Sequence, residues 1–199
     1  MTVPAGTRLP AAERRRALVD AGLRAFSEGS YAGATTAQIA REAGVSEPIL
    51  YRHFASKREL YFACLDEAWH RIRERIEESV EELGPEEGWR CIGPATMREV
   101  KVLLPSLWMQ AITEAGEDPE IRSHVRGHMR EVHDFFADVL RQVQGEGGIH
   151  PERNVDAEAW IFIAGSLLVS VADRLGGPLG SQDFDAIKAE RLRWLSGAR

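Results

Sequence analysis

Residues 35–57, TTAQIAREAGVSEPILYRHFASK, constrain this chain more than any other stretch, because they read as two short helices joined by a tight glycine turn. Thr35 stands three residues before Gln38, the spacing at which a hydroxyl caps a helix start and the glutamine reaches back. Ile39, Ala40 and Ala43 follow as a short apolar stripe at helical spacing. Gly44 falls where a helix end requires a left-handed residue, and Ser46 is placed to cap the next helix. Pro48 lies in the first turn of that second helix, where a missing N–H costs nothing. Ile49, Leu50 and Phe54 form its inward side. Its other side carries Glu47, Pro48, Tyr51, Arg52 and His53, groups suited to phosphates and base edges.

Two helices around a turn also occur in proteins that never touch DNA, so the flanking sequence matters. A preceding helix, roughly Ala11 to Glu28 and closed by Gly29, has Leu18, Ala21, Gly22, Ala25 and Phe26 as an inward face. A following helix opens on a second capping box, Ser56 with Glu59, and continues through Leu60, Cys64, Trp69, Ile72 and Ile76. The chain carries a formal charge of −6, which is unhelpful for a DNA reader until it is divided. Residues 1–62 hold nine Arg/Lys against six Asp/Glu, a net of +3, which leaves −9 for the remainder. The basic share is concentrated where DNA would lie, although +3 is a modest excess that ordinary scatter also produces. Arg14, Arg15 and Arg16 open the first helix behind Met1–Pro10. They suit either an arm on the phosphates or a solvated helix start.

Residues 11 to about 70 resemble the N-terminal domain of the TetR family of bacterial regulators. The resemblance rests on Phe26, Gly29, Thr35, Thr36, Ile39, Ala40, Ala43-Gly44-Val45-Ser46, Leu50-Tyr51, His53-Phe54 and Lys57-Glu59-Leu60, and covers about a third of the chain. It implies an all-α protein with a DNA-binding domain over 1–56 and a larger ligand-binding and dimerisation domain over 57–199, in which 57–83 is a linking helix. By the resemblance, Thr36 and Lys57 hold phosphates and Tyr51 and His53 touch the backbone or a base edge. Ser46 and Pro48 lie at the same surface, with Pro48 against a thymine methyl, and Arg52 reaches a guanine or a phosphate. Glu47 departs from a surface built for phosphate. It either accepts from a cytosine N4 amino group or disfavours wrong sites.

Past residue 70 the chain is punctuated by Leu83-Gly84-Pro85 and Gly93-Pro94, around Trp89 and Cys91. A helix from about Ala95 to Ala115 should bend at Pro105. Asp118-Pro119 starts a long helix to about Gln144, with Ile121, Val125, Met129, Val132, Phe136, Val139 and Val143 at spacings of three and four. A helix capped by Asp156 runs to Leu175, and a last one starts at Asp183. The first of these is apolar on nearly every side and must be covered on nearly every side. Part of it suits a two-fold interface, with Ala164, Gly165 and Leu168 joined by Leu192 and Leu195 of the last helix. A core helix buried only within its own chain is the alternative. Two copies would read a palindrome with half-sites about 34–36 Å apart or a multiple of that.

For a small hydrophobic effector the candidate lining is Met97, Leu104, Trp108, Met109, Ile112, His128, Phe135 and Trp160, types that an ordinary helical core also uses. His124, His128 and His133 lie on the long helix, and the first two are one turn apart. A metal there is less expected than ligand-facing or solvated imidazoles. The P-loop, GxGxxG, GxSxG and HExxH patterns are absent, and Ser166 lies in an apolar run without a base, so no catalytic residue, metal or cofactor is expected. Cys64 and Cys91 form no CxxC, Met1–Pro10 has no apolar signal core, and Ala159–Ala172 is shorter than the roughly 20 residues a membrane span takes. A reduced, cytoplasmic protein is expected. The resulting expectation is a homodimeric repressor released from its operator by a hydrophobic molecule. A ligand-requiring activator and a helical protein-binding adaptor are the competing readings.

Overall fold

The computed structural model describes residues 10–84 and 104–197, less the side chains of residues 104–106, 169–170 and 173–174. Among the described residues every regular element is helical. The chain divides into two compact units, Met1–Glu67 and Ala68–Arg199. The break falls within one continuous helix.

The first unit contains α1 (Ala11–Glu28), α2 (Thr36–Glu42), α3 (Glu47–His53) and the start of α4 (Lys57–Leu83). Its core follows the apolar spacing: Leu18, Phe26, Ile39, Leu50, Phe54, Leu60 and Cys64 are all buried, together with Tyr61 and Leu65. The Tyr61 ring meets Phe26 edge-on at 4.9 Å, a geometry that aromatic quadrupoles favour. α1 and α4 approach closely at Gly22, where an added Cβ would lie 2.8 Å from Cys64 Sγ. Gly44 adopts φ +70°, the left-handed turn that ends α2 and lets α3 leave in a new direction.

The caps follow the sequence in part. Thr35 Oγ1 accepts from Gln38 N at 3.2 Å, but the Gln38 amide does not reach back; it donates to Glu42 Oε1 one turn on. Ser46 has N-cap backbone geometry without a side-chain cap bond. The Ser56–Glu59 box forms with a shift. Ser56 Oγ accepts from Glu59 N, while Glu59 Oε2 accepts from Ala55 N at 2.6 Å.

The second unit holds the remainder of α4 with α5 (Leu104–Glu114), α6 (Pro119–Gly145), α7 (Val155–Arg174) and α8 (Ser181–Ser196). Asp118 Oδ1 caps α6 by accepting from Glu120 N and Ile121 N. Along α6 Ile121, Val132, Phe136, Val139 and Val143 of the expected stripe are buried, as is Leu140, while Val125 and Met129 are half-buried. α7 is capped by Asn154, whose Oδ1 accepts from Ala157 N, and not by Asp156. Asp156 instead pairs with Arg141 at 2.7 Å, since Arg141 Nη2 draws its carboxylate toward α6. α8 begins at Ser181, two residues before the expected start, with Asp183 Oδ2 accepting from Gly180 N. The bend expected at Pro105 falls at the edge of the described residues. The helix start at Ala95, Trp89, Cys91 and Met97 lie outside them. No helix among the described residues is long and apolar enough to cross a membrane.

Candidate nucleic-acid interface

α3 is short, and one residue, Leu50, is buried within its span. That economy leaves most of its circumference outward. Tyr51 is 48% exposed, Arg52 and Pro48 are exposed, and His53 and Glu47 are half-buried. Phe54, 1% exposed, anchors the helix end and lies under the Arg15 guanidinium, 4.9 Å from its ring centre. A cation over an aromatic face is held without losing its charge.

The charges of three arginines act on His53. Its imidazole is held below the usual histidine range, first by burial and then by the positive charges of Arg14, Arg15 and Arg52. The arginine run of α1 and the recognition side of α3 therefore contribute to one electropositive surface. Sequence spacing alone could not join Arg14 to Arg52. The net +3 of residues 1–62 and the run Arg14, Arg15 and Arg16 were the hints of it.

The remaining candidates have defined partners. The Thr36 side chain is 8% exposed. Its Oγ1 donates to Glu47 Oε1 at 2.5 Å and lies 3.1 Å from the Tyr51 hydroxyl. Lys57 Nζ donates to Ala32 O at 3.3 Å and sits 4.8 Å from the Tyr31 ring centre, so it is positioned beside the α1–α2 turn. Ser46 is exposed. The structure thus gathers Thr36, Glu47 and Tyr51 into one hydrogen-bonded group and leaves His53 within the field of the Arg52 charge. Nothing in residue type or spacing announced that group.

In the second unit, Trp108, His128 and Phe135 come together around Trp69. The Trp69 ring is 5.4 Å from Phe135 and 6.3 Å from His128, and Trp108 is 5.2 Å from His128. Trp69 is a residue the sequence placed only as a helix-face apolar group. Met109 is half-buried nearby in sequence on α5, and the Leu104 side chain is outside the described residues. Ile112 and Trp160 face solvent at 37% and 44% exposure, in contrast to the interior lining expected of them. Trp160 stacks on His133 at 4.4 Å, which holds its ring flat against the α6–α7 surface. An open groove of about 440 Å³ runs beside Arg73, Glu131, Phe135 and Asp138. Its charged lining differs from the apolar cavity expected, and it shares only Phe135 with that set. No three metal-ligating side chains gather among the described residues. His133 is buried with both ring nitrogens facing oxygens, Asp134 Oδ1 at 2.9 Å and Asp156 O at 3.1 Å.

Of the expected interface residues, Ala164, Gly165 and Leu168 are exposed on α7, in line with Ile161 at 45%. Leu192 is half-buried. Leu195 is buried within its own chain at 5% exposure, because α8 is tied down there. His150 N donates to Leu195 O at 2.8 Å, Arg153 lies 3.6 Å from the Trp194 ring, and Arg191 pairs with the buried Glu158.

A capped helix, a left-handed glycine and a second helix with an outward polar face define a helix-turn-helix protein. Residues 18–64 match the family model for bacterial regulatory proteins of the tetR family. The chain is 50% identical over 60 residues to the HTH-type transcriptional activator FasR of Mycolicibacterium smegmatis, covering 30% of this chain and 27% of that protein. It is 29% identical over 137 residues to the HTH-type transcriptional regulator SrpR of Pseudomonas putida, covering 69% and 62%. The chain thus spans less than two thirds of either relative. The fold is shared with a TetR-family transcriptional regulator from Rhodococcus sp. at a TM-score of 0.77 and 19% identity, covering 93% of this chain and 99% of that one. Residues 18–64 are thus similar to the DNA-binding domain of the tetR family of bacterial regulatory proteins, and the all-helical fold is the one that TetR-family regulators adopt.

Proposed function

We propose that this protein is a homodimeric transcription factor that binds a palindromic DNA operator through α2 and α3 and is released by a small hydrophobic effector bound in the second unit. The observation that carries the DNA-binding part is the open polar side of α3, Pro48, Tyr51 and Arg52, with the Arg15 guanidinium seated over Phe54 at its end. Cations at that place neutralise phosphates and release counterions, which makes affinity strongly salt-dependent. Thr36, Ser46, Glu47, Pro48, Tyr51, Arg52, His53 and Lys57 are the proposed contacts.

Dimerisation is supported by the face of α7. Trp160, Ile161 and Leu168 are each 44–45% exposed, and Ala164 and Gly165 between them permit close approach. Exposed apolar side chains in a row of this kind mark a protein contact. A second copy satisfies them with the same patch on both sides, as two-fold symmetry requires. Leu192 is half-buried and is kept as a candidate for this contact, while Leu195 is buried within its own chain.

Control by an effector is supported by the cluster of Trp69, Trp108, His128 and Phe135, with α4 running without interruption from the first unit to the second. An effector that binds one of two states better than the other shifts DNA affinity by the ratio of its two affinities. Typical couplings of about 1–3 kcal/mol correspond to about 5- to 150-fold. Repression relieved by effector is the default reading. The name of the FasR relative favours a second one, activation, although that likeness covers 30% of this chain and does not fix the sign of control.

Selection from a random duplex library at two salt concentrations tests the reading. An enriched palindrome with salt-dependent affinity supports it. No enrichment at either salt would leave the protein-binding adaptor, or a regulator that requires its ligand to bind, in its place. Transcription in vitro from the selected site then separates repressor from activator.

A further inference from the structure

The protons shared by Thr36, Glu47 and Tyr51 can be counted. A threonine hydroxyl has one proton, and a carboxylate offers only lone pairs. With that proton given to Glu47 Oε1 at 2.5 Å, the contact of 3.1 Å between the two hydroxyls must run the other way. Tyr51 donates to Thr36, and Thr36 donates to Glu47. Each bond polarises the next, which strengthens the chain. It joins the first residue of α2 to the first residue of α3, and its outer member is the exposed Tyr51.

A DNA phosphate is an acceptor as well, and it competes with Glu47 for the same proton. Its negative charge also repels the Glu47 carboxylate. Both effects act in one direction: the approach of phosphate to Thr36 displaces Glu47. A displaced carboxylate at the first position of α3 is among the N-terminal residues of the recognition helix, the ones that contact base edges in this motif. The base-edge group that suits an acceptor-only side chain is the cytosine N4 amino group.

We propose that Glu47 is a specificity-determining residue gated by Thr36: the hydroxyl holds the carboxylate away in the free protein, and a backbone phosphate that takes over its proton releases Glu47 to read a cytosine. This rests on the operator-binding reading above. It means that the base contact forms only after the backbone contact, so that a non-specific encounter with Thr36 unengaged leaves Glu47 uncommitted. Glu47 then serves discrimination while costing affinity, because at sites without the cytosine a displaced carboxylate is left without a partner.

The test is duplex-library selection with the full-length protein as wild type, Glu47→Ala, Thr36→Val and the double variant, with folding checked by circular dichroism. Glu47→Ser replaces Glu47→Ala should the alanine variant not fold. Wild type should prefer cytosine at one position of each half-site by about 5- to 150-fold. Glu47→Ala should lose that preference alone, and should bind unrelated DNA more tightly. In the Thr36→Val background the same substitution should give a smaller gain, because no shared proton remains to be released. An enriched palindrome whose every position is unchanged by Glu47→Ala overturns the proposal and leaves the operator reading intact. An equal gain in both backgrounds assigns the effect to charge repulsion and overturns the gating. Absence of any enriched sequence for wild type removes the operator reading itself and the proposal with it.

Discussion

Among the described residues α3 and α7 each leave a side open to solvent, and they do so with opposite chemistry. The outward side of α3 is Tyr51, Arg52 and Pro48, with His53 and Glu47 at its margin. That of α7 is Trp160, Ile161, Ala164, Gly165 and Leu168. Polar side chains left in water on a seven-residue helix are satisfied there. An apolar row on a 20-residue helix is not. Exposure alone therefore does not identify a binding surface. The chemistry exposed states which kind of partner would lower the free energy, a polyanion at α3 and a second apolar face at α7.

The contrast between the two helices is tested most directly at α7. Leu168→Arg places a charge in the proposed two-fold contact at a position already 44% exposed, so the monomer has no reason to unfold. We expect sedimentation to shift from dimer to monomer and operator affinity to fall by about 100-fold or more, since two linked half-site contacts gain about 10²–10⁴ over one. A variant that stays dimeric would assign the apolar row to a different partner. A variant that becomes monomeric and still binds the full palindrome as before would show that α3 needs no second copy.

A smaller effect is expected on the α3 side. Arg52→Ala should weaken binding and reduce the slope of log affinity against log salt by about 1, as expected when one phosphate is no longer neutralised. Should Arg52 read a guanine instead, the slope stays and preference at one base pair relaxes, a cost of about 1–3 kcal/mol for that base. The two results divide the positive surface into a positioning part and a reading part. The same measurement on Arg15→Ala should change the slope without altering any preference, because Arg15 is held over Phe54 at the edge of the helix.

How far the sequence carried differs between the two surfaces, and the reason is physical. The helix-turn-helix was legible because its signals are local. Thr35, Gly44, Pro48 and the Ser56–Glu59 pair each act within a few residues of where they stand, and their effect needs no tertiary context. The apolar character of α7 was legible as well, since it needs only a count around a helix. Contacts between segments were not. The Thr36–Glu47 bond, the approach of Arg14 to His53 and the pairing of Arg191 with Glu158 depend on how helices pack. Trp160 shows the same limit: an aromatic residue in an apolar run reads as interior, and only the His133 ring beneath it explains how it lies on the surface. Asp156 read as a cap because a carboxylate ahead of an apolar run suits that place, but Asn154 makes the cap bond and Asp156 pairs with Arg141.

The smallest expected effect concerns the charge of His53. In the free protein burial, followed by Arg14, Arg15 and Arg52, holds its imidazole below the ordinary histidine range, so it is neutral at pH 7. A phosphate brought against those arginines offsets the positive charge and favours the protonated ring. The bound state then has the higher pKa and takes up a proton, so linkage requires operator affinity to rise as pH falls through that bound value. Folding has the opposite sign. The unfolded chain binds this proton more readily than the folded one, so the contribution of His53 to stability is present above its unfolded pKa and lost as pH falls below it. Acidification should therefore tighten the complex modestly while loosening the free protein. Titrating affinity between about pH 6 and 8 for wild type and His53→Gln isolates the contribution of this ring: the slope should be present in the first and absent in the second. An equal slope in both would place the titrating group elsewhere and would make the arginines, without the histidine, the whole of the positive surface that distinguishes α3 from α7.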